Sequence, residues 1–237
     1  MTTDPSIHGS RFTAHGPVAR VWAVLSKDVT QELRRRIAIL AAFFFAATAL
    51  ALVSYAIGPF GFPEEDRPAL QAALLWIILF FAAATGLPRA FVREEETGTA
   101  LALRKTAPAS VVLAGKAAFN FLLFLAMAAV TIPGFLLLLE WRVAGAPGLA
   151  ATVILGGYGL AVVSTFLSAL VAGAGQRNVL FVLIAFPLLL PLLLTAIAAT
   201  LESTRGGMPW TPLRVLLAYD GAAMGAAYML ISAVWED

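Results

Sequence analysis

The sequence predicts an all-α, polytopic membrane protein, from its composition and from the length of its apolar runs. Of its 237 residues, 60% are hydrophobic and 13% are charged, and the mean hydropathy is +0.87. Soluble domains carry about 45–50% apolar and about 25% charged residues. About 20 helical residues cross the roughly 30 Å hydrocarbon core of a bilayer. Six apolar runs approach or reach this length and leave no room for a soluble domain of ordinary size.

The N-terminal part precedes the first span. Residues 1–20 lack the basic start and continuous apolar core of a signal peptide, and we expect them to form a cytoplasmic tail. Apolar residues follow Val21 at i+4 spacing, with Trp22 beside them, which predicts an amphipathic helix over residues 21–36 in the headgroup region. A helix that only leads into the first span is the alternative. This segment carries an interfacial basic cluster made of Lys27, Arg34, Arg35 and Arg36.

A six-helix transmembrane domain is predicted over residues 37–235. An even number of spans places both termini on one side of the membrane. Of the 16 Lys and Arg residues, twelve fall on that side and four on the other, so the termini and the central loop are expected to face the cytoplasm. The spans are predicted at Ile37–Ile57, Ala69–Leu87, Ala117–Leu139, Leu149–Ala172, Val179–Leu201 and Leu213–Trp235.

Two spans carry residues that are candidates for a hinge or a seam. The fourth is rich in small residues, including Gly159 and Ser164, and is therefore expected to pack in the bundle interior or at a dimer seam. The fifth contains Pro187 and Pro191 one helical turn apart, which bend or break a helix. A static kink and a moving hinge both remain open.

Asp220 is the ionisable residue that stands inside a predicted span, about two turns into the last apolar run. A charge at the bilayer centre costs on the order of 3 kcal/mol. Asp220 either lines a polar surface for a substrate or partner, or lies near the true start of the span, after an interfacial segment Leu213–Tyr219. The sequence favours the second interpretation, because a helix N-terminus stabilises a carboxylate.

Several kinds of chemistry are excluded. The chain has no Cys, and its two histidines, His8 and His15, lie in the tail, so we expect no metal site in the bundle. The pair Gly115-Lys116 resembles the end of a P-loop, but Ala117 follows where Ser or Thr must reach Mg²⁺. Lys116 is instead expected to snorkel to the membrane interface. The chain is therefore not expected to be an enzyme, or to hydrolyse ATP itself.

The central loop, residues 89–116, is the long polar interruption between the second and third spans. It mixes both signs of charge with apolar residues, which a simple connection would not need. We expect it to form a small platform that a soluble partner grips. Its candidate contact residues are Phe91, Glu94, Glu95, Glu96, Gly98, Leu101, Leu103 and Pro108.

These features together resemble the membrane subunits of six-span, ABC-2-like exporters and, more narrowly, the CcmB family of haem exporter proteins in cytochrome c maturation. The likeness covers roughly residues 22–235. The stretches that carry it are Lys27-Asp28 with Glu32-Leu33-Arg34-Arg35, Phe91 to Gly115-Lys116, Gly159-Leu160-Ala161 to Arg177 with Pro187-Leu188 and Pro191, and Leu216-Leu217-Ala218-Tyr219-Asp220. Departures are Gln176-Arg177-Asn178, which is less basic than is usual, and Leu103-Arg104-Lys105-Thr106, which is more charged.

The resemblance implies a bacterial inner-membrane complex. Its partners would be a cytoplasmic ABC ATPase that holds ATP and Mg²⁺, a second copy of this chain, other cytochrome c maturation membrane proteins and a haem chaperone. In such a complex residues 94–103 would be a coupling helix seated in the ATPase, and no nucleic acid is implied. Haem is the implied cargo, or ATP is used to release a haem-loaded chaperone. The spans offer no His or Cys as an axial ligand, which favours release. A permease for another lipophilic cargo and a membrane scaffold without energy coupling remain the alternatives.

Overall fold

The part of the chain that the computed structural model describes is α-helical, with short turns between the helices. Its backbone description covers residues 17–35, 37–60, 63, 65–86, 108–171 and 177–236. Side chains are described for residues 18–30, 40–56, 63, 65–84, 108–171 and 183–231. The helices are α1 (Pro17–Arg35), α2 (Ile37–Phe60), α3 (Arg67–Gly86), α4 (Ala109–Leu138), α5 (Ala146–Val171), α6 (Arg177–Thr204) and α7 (Trp210–Glu236).

Four of these helices are long and apolar enough to cross a membrane, namely α3, α4, α5 and α6. The described side chains of α2 give a shorter apolar stretch, Leu40–Ala56. The prediction of a helical membrane protein is thereby confirmed, while the count of six spans stays a prediction. The predicted span ends lie within three residues of helix ends everywhere except at the start of α4.

The start of α4 corrects the predicted central loop. The helix begins at Ala109, whereas the sequence analysis placed residues up to Lys116 in the loop. Pro108 precedes the first turn with φ −59° and ψ 145°, and its carbonyl accepts the N–H groups of Val111 and Val112 at 3.0 and 3.2 Å. Proline suits a helix start because it has no N–H to leave unpaired. The helical segment before the predicted span was missed because it is less apolar than the span itself.

The helix α5 lies in the interior of the bundle and packs against α4, α6 and α7. Its glycines make room for aromatic rings of other helices. A Cβ on Gly156 would meet the Trp76 ring, and one on Gly157 would meet Phe124. Those two rings stack with centroids 6.2 Å apart. The small residues of α5 therefore serve close packing within this chain, which is one of the two roles predicted for them.

At the end of the bundle remote from α1, the turn before α5 pairs with the end of α6. The Gly145 N–H donates to the Ser203 carbonyl at 2.9 Å, and the Ala144 N–H donates to the Thr204 carbonyl at 3.4 Å. A Cβ on Gly145 would lie 2.8 Å from that Ser203 oxygen, so glycine permits the approach. The contact satisfies two carbonyls of the last turn of α6, which have no partner within the helix.

Candidate functional site

Some of the predicted site residues lie in two regions that the structure describes. The others lie outside the described residues. The central-loop residues lie outside the described residues, with the exception of Pro108, and so does Arg36. Arg34 and Arg35 belong to the last turn of α1, but their side chains are also outside the description. The two described regions lie around Asp220 and around Lys27, and each joins several helices.

Asp220 is buried where α5, α6 and α7 meet. Its exposed fraction is 3%, and neither carboxylate oxygen has a hydrogen-bond partner among the described residues. A Cβ on Gly159 of α5 would meet Asp220 Oδ1 and would lie 2.7 Å from the Leu192 Cδ1 of α6. The phenols of Tyr158 and Tyr219 are close enough to interact electrostatically with the carboxylate. Gly159 thus leaves the space that the Asp220 side chain occupies.

The position of Asp220 along α7 does not match the start of a helix. The helix α7 is continuous from Trp210, so Asp220 lies ten residues, or about 15 Å, along it. Gly159, which it faces, is in the middle of α5 rather than at an end. The sequence favoured a position near a helix N-terminus, which stabilises a carboxylate, because hydropathy does not show that the helix already begins at Trp210. In the structure Asp220 is a buried polar residue of the bundle, and the other interpretation, that it lines a polar surface for a substrate or partner, stays a prediction.

Pro187 and Pro191 lie in α6, which continues through both of them to Thr204 without a break. Both prolines are on the exposed side of the helix. Between them, the Leu188 carbonyl accepts the Tyr219 hydroxyl at 2.7 Å. The residue beside Asp220 therefore ties α7 to the proline segment of α6. Whether this segment moves stays a prediction, as does the role of Gly159 and Ser164 as a seam.

The second region joins α1 to the start of α4 and corrects the prediction for Lys116. This side chain is 2% exposed rather than snorkelling, and its Nζ lies 3.4 Å from Asp28 Oδ2 on α1. Lys27 Nζ lies 3.6 Å from the other oxygen of Asp28 and is more exposed. The correction has a physical reason, since α1 covers the first turns of α4. Lys27 of the predicted basic cluster therefore pairs with a carboxylate on its own helix, while Lys116 makes the contact between α1 and α4.

Two buried polar pairs were not anticipated from the sequence. The Asn120 side-chain amide donates to Thr165 Oγ1 at 2.7 Å, which links α4 to α5. The Trp76 indole N–H donates to Thr200 Oγ1 at 2.8 Å, which links α3 to α6. The available signal was that Asn120 is an amide in an otherwise apolar run, since such residues inside spans bond across helices.

Polar contacts between helices are the common feature of the described polar side chains. Among the described residues there is no group of three or more His, Cys, Asp or Glu that could hold a metal ion. Three buried or partly buried polar pairs instead join helices, namely Asn120 with Thr165, Trp76 with Thr200, and Asp28 with Lys116, the last with opposite charges. The arrangement is that of a helical membrane protein in which a few polar contacts join the helices.

Comparison with known proteins gives a consistent family. The model of the family described as "CcmB protein" matches residues 19–234. The "Heme exporter protein B" of Paracoccus denitrificans is 29% identical over 188 residues, which cover 78% of this chain and 86% of that protein. The "Heme exporter protein B" of Rhodobacter capsulatus is 26% identical over 204 residues, or 85% and 92% of the two chains.

Proposed function

Because this chain belongs to the CcmB protein family, we propose that it is the membrane subunit of an ABC-type haem-export complex in cytochrome c maturation. The family match over residues 19–234 is the observation that carries this proposal. The two relatives named Heme exporter protein B support it, since each aligns over most of its own length. The four span-like helices support a multi-pass subunit in such a complex.

The proposal includes a six-span, ABC-2-like architecture in the bacterial inner membrane, with both termini in the cytoplasm. The charge asymmetry of the loops supports this orientation, with twelve of 16 basic residues on the cytoplasmic side. The apolar stretch Leu40–Ala56 in α2 and the helix α7 would be the two further spans. A second copy of the chain would complete the membrane part of the complex.

This chain has no P-loop of its own. Energy would therefore come from a cytoplasmic ATPase partner, which would hold ATP and Mg²⁺. The acidic segment that includes Glu94 and Glu96 would dock in that partner, with Leu101 and Leu103 buried against it. ATP would then drive haem export or the release of a haem-loaded chaperone. The lack of His and Cys in the spans supports release, because these are common axial ligands of haem iron.

Purification from the native membrane tests the proposal. Tagged protein is extracted in mild detergent as the wild type and with the double substitution Glu94→Ala and Glu96→Ala. The matched control is Glu64→Ala with Glu65→Ala, an acidic pair in the loop between α2 and α3, which is expected on the other face. We expect an ATPase subunit to co-purify with the wild type and with the control. In the variant with Glu94→Ala and Glu96→Ala, we expect the ATPase subunit to be lost, or its ATP hydrolysis to be uncoupled from this chain.

The other co-purifying proteins identify the cargo. Cytochrome c maturation proteins and a haem chaperone in the same preparation would support the haem pathway. Recovery of an ATPase with none of them would instead favour a permease for another lipophilic cargo. If no ATPase is recovered with the wild type, the coupling role of the central loop is wrong.

A further inference from the structure

The contact between α1 and α4 contains a buried ion pair. Lys116 is the eighth residue of α4 and is 2% exposed, while the Asp28 side chain on α1 is 11% exposed. Their charged atoms, Lys116 Nζ and Asp28 Oδ2, lie 3.4 Å apart. Lysine is almost never fully buried unless it is paired. The pair therefore fixes the position of two helices that are 88 residues apart in the chain.

The backbones of the two helices approach closely beside this pair. A Cβ on Gly115 would lie 2.7 Å from Val24 Cβ and 3.2 Å from the Val21 carbonyl oxygen. Val24 is one helical turn before Asp28, and Gly115 is the neighbour of Lys116. The close approach and the ion pair thus belong to one contact surface, which we call the α1–α4 junction (Val24, Asp28, Gly115 and Lys116).

The other side of the same α4 segment is held by the bundle. Val112, Leu113 and Ala117 of α4 form a buried apolar cluster with residues of α5 and α7. This cluster and the α1–α4 junction enclose the first turns of α4 between them. The central loop joins α4 at Pro108, only two turns before Lys116. Anything that grips this loop therefore acts on a segment that α1 holds in place.

The helix α1 also has an apolar surface that does not contact the bundle. Val18 is 81% exposed and Trp22 is 67% exposed, at i and i+4 on one face of the helix. Such residues suit the interfacial layer of a bilayer, where a Trp ring lies at the headgroup level. One side of α1 thus faces α4, and another is open to lipid.

We propose that the Asp28–Lys116 ion pair is a positioning contact that joins the interfacial helix α1 to the ATPase-coupling loop. The inference rests on the proposed function, because it requires that a partner acts on this loop. The pair keeps α1 in register on α4, so that α1 and the start of α4 move as one body when the loop is displaced. Lys27, on the exposed side of Asp28, is not needed for this, because exposed ion pairs contribute little.

Accessibility of a single cysteine tests the contact without any partner. The chain has no Cys, so Val24→Cys introduces the one thiol, and the 7% exposure of Val24 predicts that it is shielded from a water-soluble maleimide. Asp28→Asn and Lys116→Met are expected to raise its labelling rate about tenfold or more, because each breaks a buried pair. Lys27→Met is the matched control and leaves the labelling rate within about twofold.

The functional readout uses the whole complex in its native membrane. For the same variants with Val24 retained, recovery of the ATPase subunit, ATP hydrolysis and the amount of haem-loaded cytochrome c are measured. We expect normal recovery of the ATPase subunit and continued ATP hydrolysis. Cytochrome c maturation is expected to fall about tenfold in Asp28→Asn and Lys116→Met, because loss of the buried pair opens the junction. The conservative variant Asp28→Glu keeps the charge and is expected to retain most of the maturation activity.

The outcomes separate the two proposals. Unchanged labelling and maturation in both Asp28→Asn and Lys116→Met would overturn the inference, and so would raised labelling with normal maturation. Absence of the ATPase from the wild-type complex would contradict the proposed function, while the labelling result would still report on the junction. If Asp28→Asn is not recovered from the membrane, Lys116→Met provides the test, because it fills the site without a buried charge.

Discussion

The contact between Gly159 and Asp220 leads to a sharp prediction for Gly159→Ala. The added methyl group would clash with Asp220 Oδ1 and would lie 2.7 Å from Leu192 Cδ1. Leu192 presents the end of a flexible side chain, which can shift at little cost. Asp220 has a short side chain in a 3% exposed position, so the carboxylate has little room to turn away from the added methyl group. The substitution is therefore expected to overpack the site.

The magnitude follows from two opposing terms. Overpacking a buried site costs about 1–3 kcal/mol, while Gly→Ala within a helix stabilises it by about 1 kcal/mol. The net destabilisation by Gly159→Ala is then about 0–2 kcal/mol. Gly221, the neighbour of Asp220, is exposed and has no atom within 4 Å of a built Cβ. Gly221→Ala therefore gains only the stabilisation of Ala over Gly in a helix, without overpacking, and is the matched control.

Thermal unfolding of the purified protein in one detergent measures the effect. The difference between the two alanine variants isolates the steric term of about 1–3 kcal/mol, or a Tm difference of about 2–12 °C. In the Asp220→Ala background the carboxylate is gone, so Gly159→Ala should lose most of its cost. Equal Tm values for the two variants, or no relief in the Asp220→Ala background, would show that Gly159 and Asp220 are not in contact.

Two further substitutions test the polar contacts between helices. Tyr219→Phe removes the hydroxyl that donates at 2.7 Å to the Leu188 carbonyl, between the two prolines of α6. It is expected to lower the free energy of unfolding by about 0.5–1.5 kcal/mol, measured by thermal unfolding. A gain in stability would contradict the hydrogen bond. Thr200→Val leaves the buried Trp76 N–H without its acceptor at 2.8 Å, and is expected to cost about 1–3 kcal/mol, whereas Thr200→Ser should retain most of the stability. Equal losses from both Thr200 variants would instead indicate a packing role.

The sequence was sufficient to predict most helices because a span must be long and apolar. The small residues of α5 likewise predicted its interior position, since glycine is the residue that admits a ring such as Trp76 against the backbone. The start of α4 was missed because the segment Ala109–Lys116 is not a continuous apolar run. Local sequence does not show that α1 covers this segment and supplies a charge for Lys116.

The candidate site was less predictable because its contacts join distant parts of the chain. Lys27-Asp28 and Gly115-Lys116 were both recognised as informative stretches, but nothing in their local pattern pairs them. The position of Asp220 depends on which residues of α5 it faces, and hydropathy averages carry no such information. Single-sequence reasoning identifies unusual residues in a span, while their partners follow only from the packing of the helices.

The α1–α4 junction and the contact between Gly159 and Asp220 are connected by a short series of residues in α4 and α5. From Lys116, one helical turn along α4 leads to Asn120, whose amide bonds to Thr165 of α5 at 2.7 Å. Six residues before Thr165 in the same helix is Gly159, which faces Asp220. Such adjacency alone does not establish energetic coupling, because coupling requires an element with two arrangements that both sites bias.

We expect the α1–α4 junction and the contact between Gly159 and Asp220 to contribute independently to stability, and a double-mutant cycle of Asp28→Asn with Gly159→Ala measures this. The two positions share no contact, and sites that share no partners and lie more than about 7–10 Å apart usually add within about 0.3–0.5 kcal/mol. The Tm shift of the double variant should therefore equal the combined shifts of the single ones. A larger interaction would contradict independence. It would mean that α4 and α5 shift together, so that a displacement imposed at the start of α4 reaches the buried carboxylate.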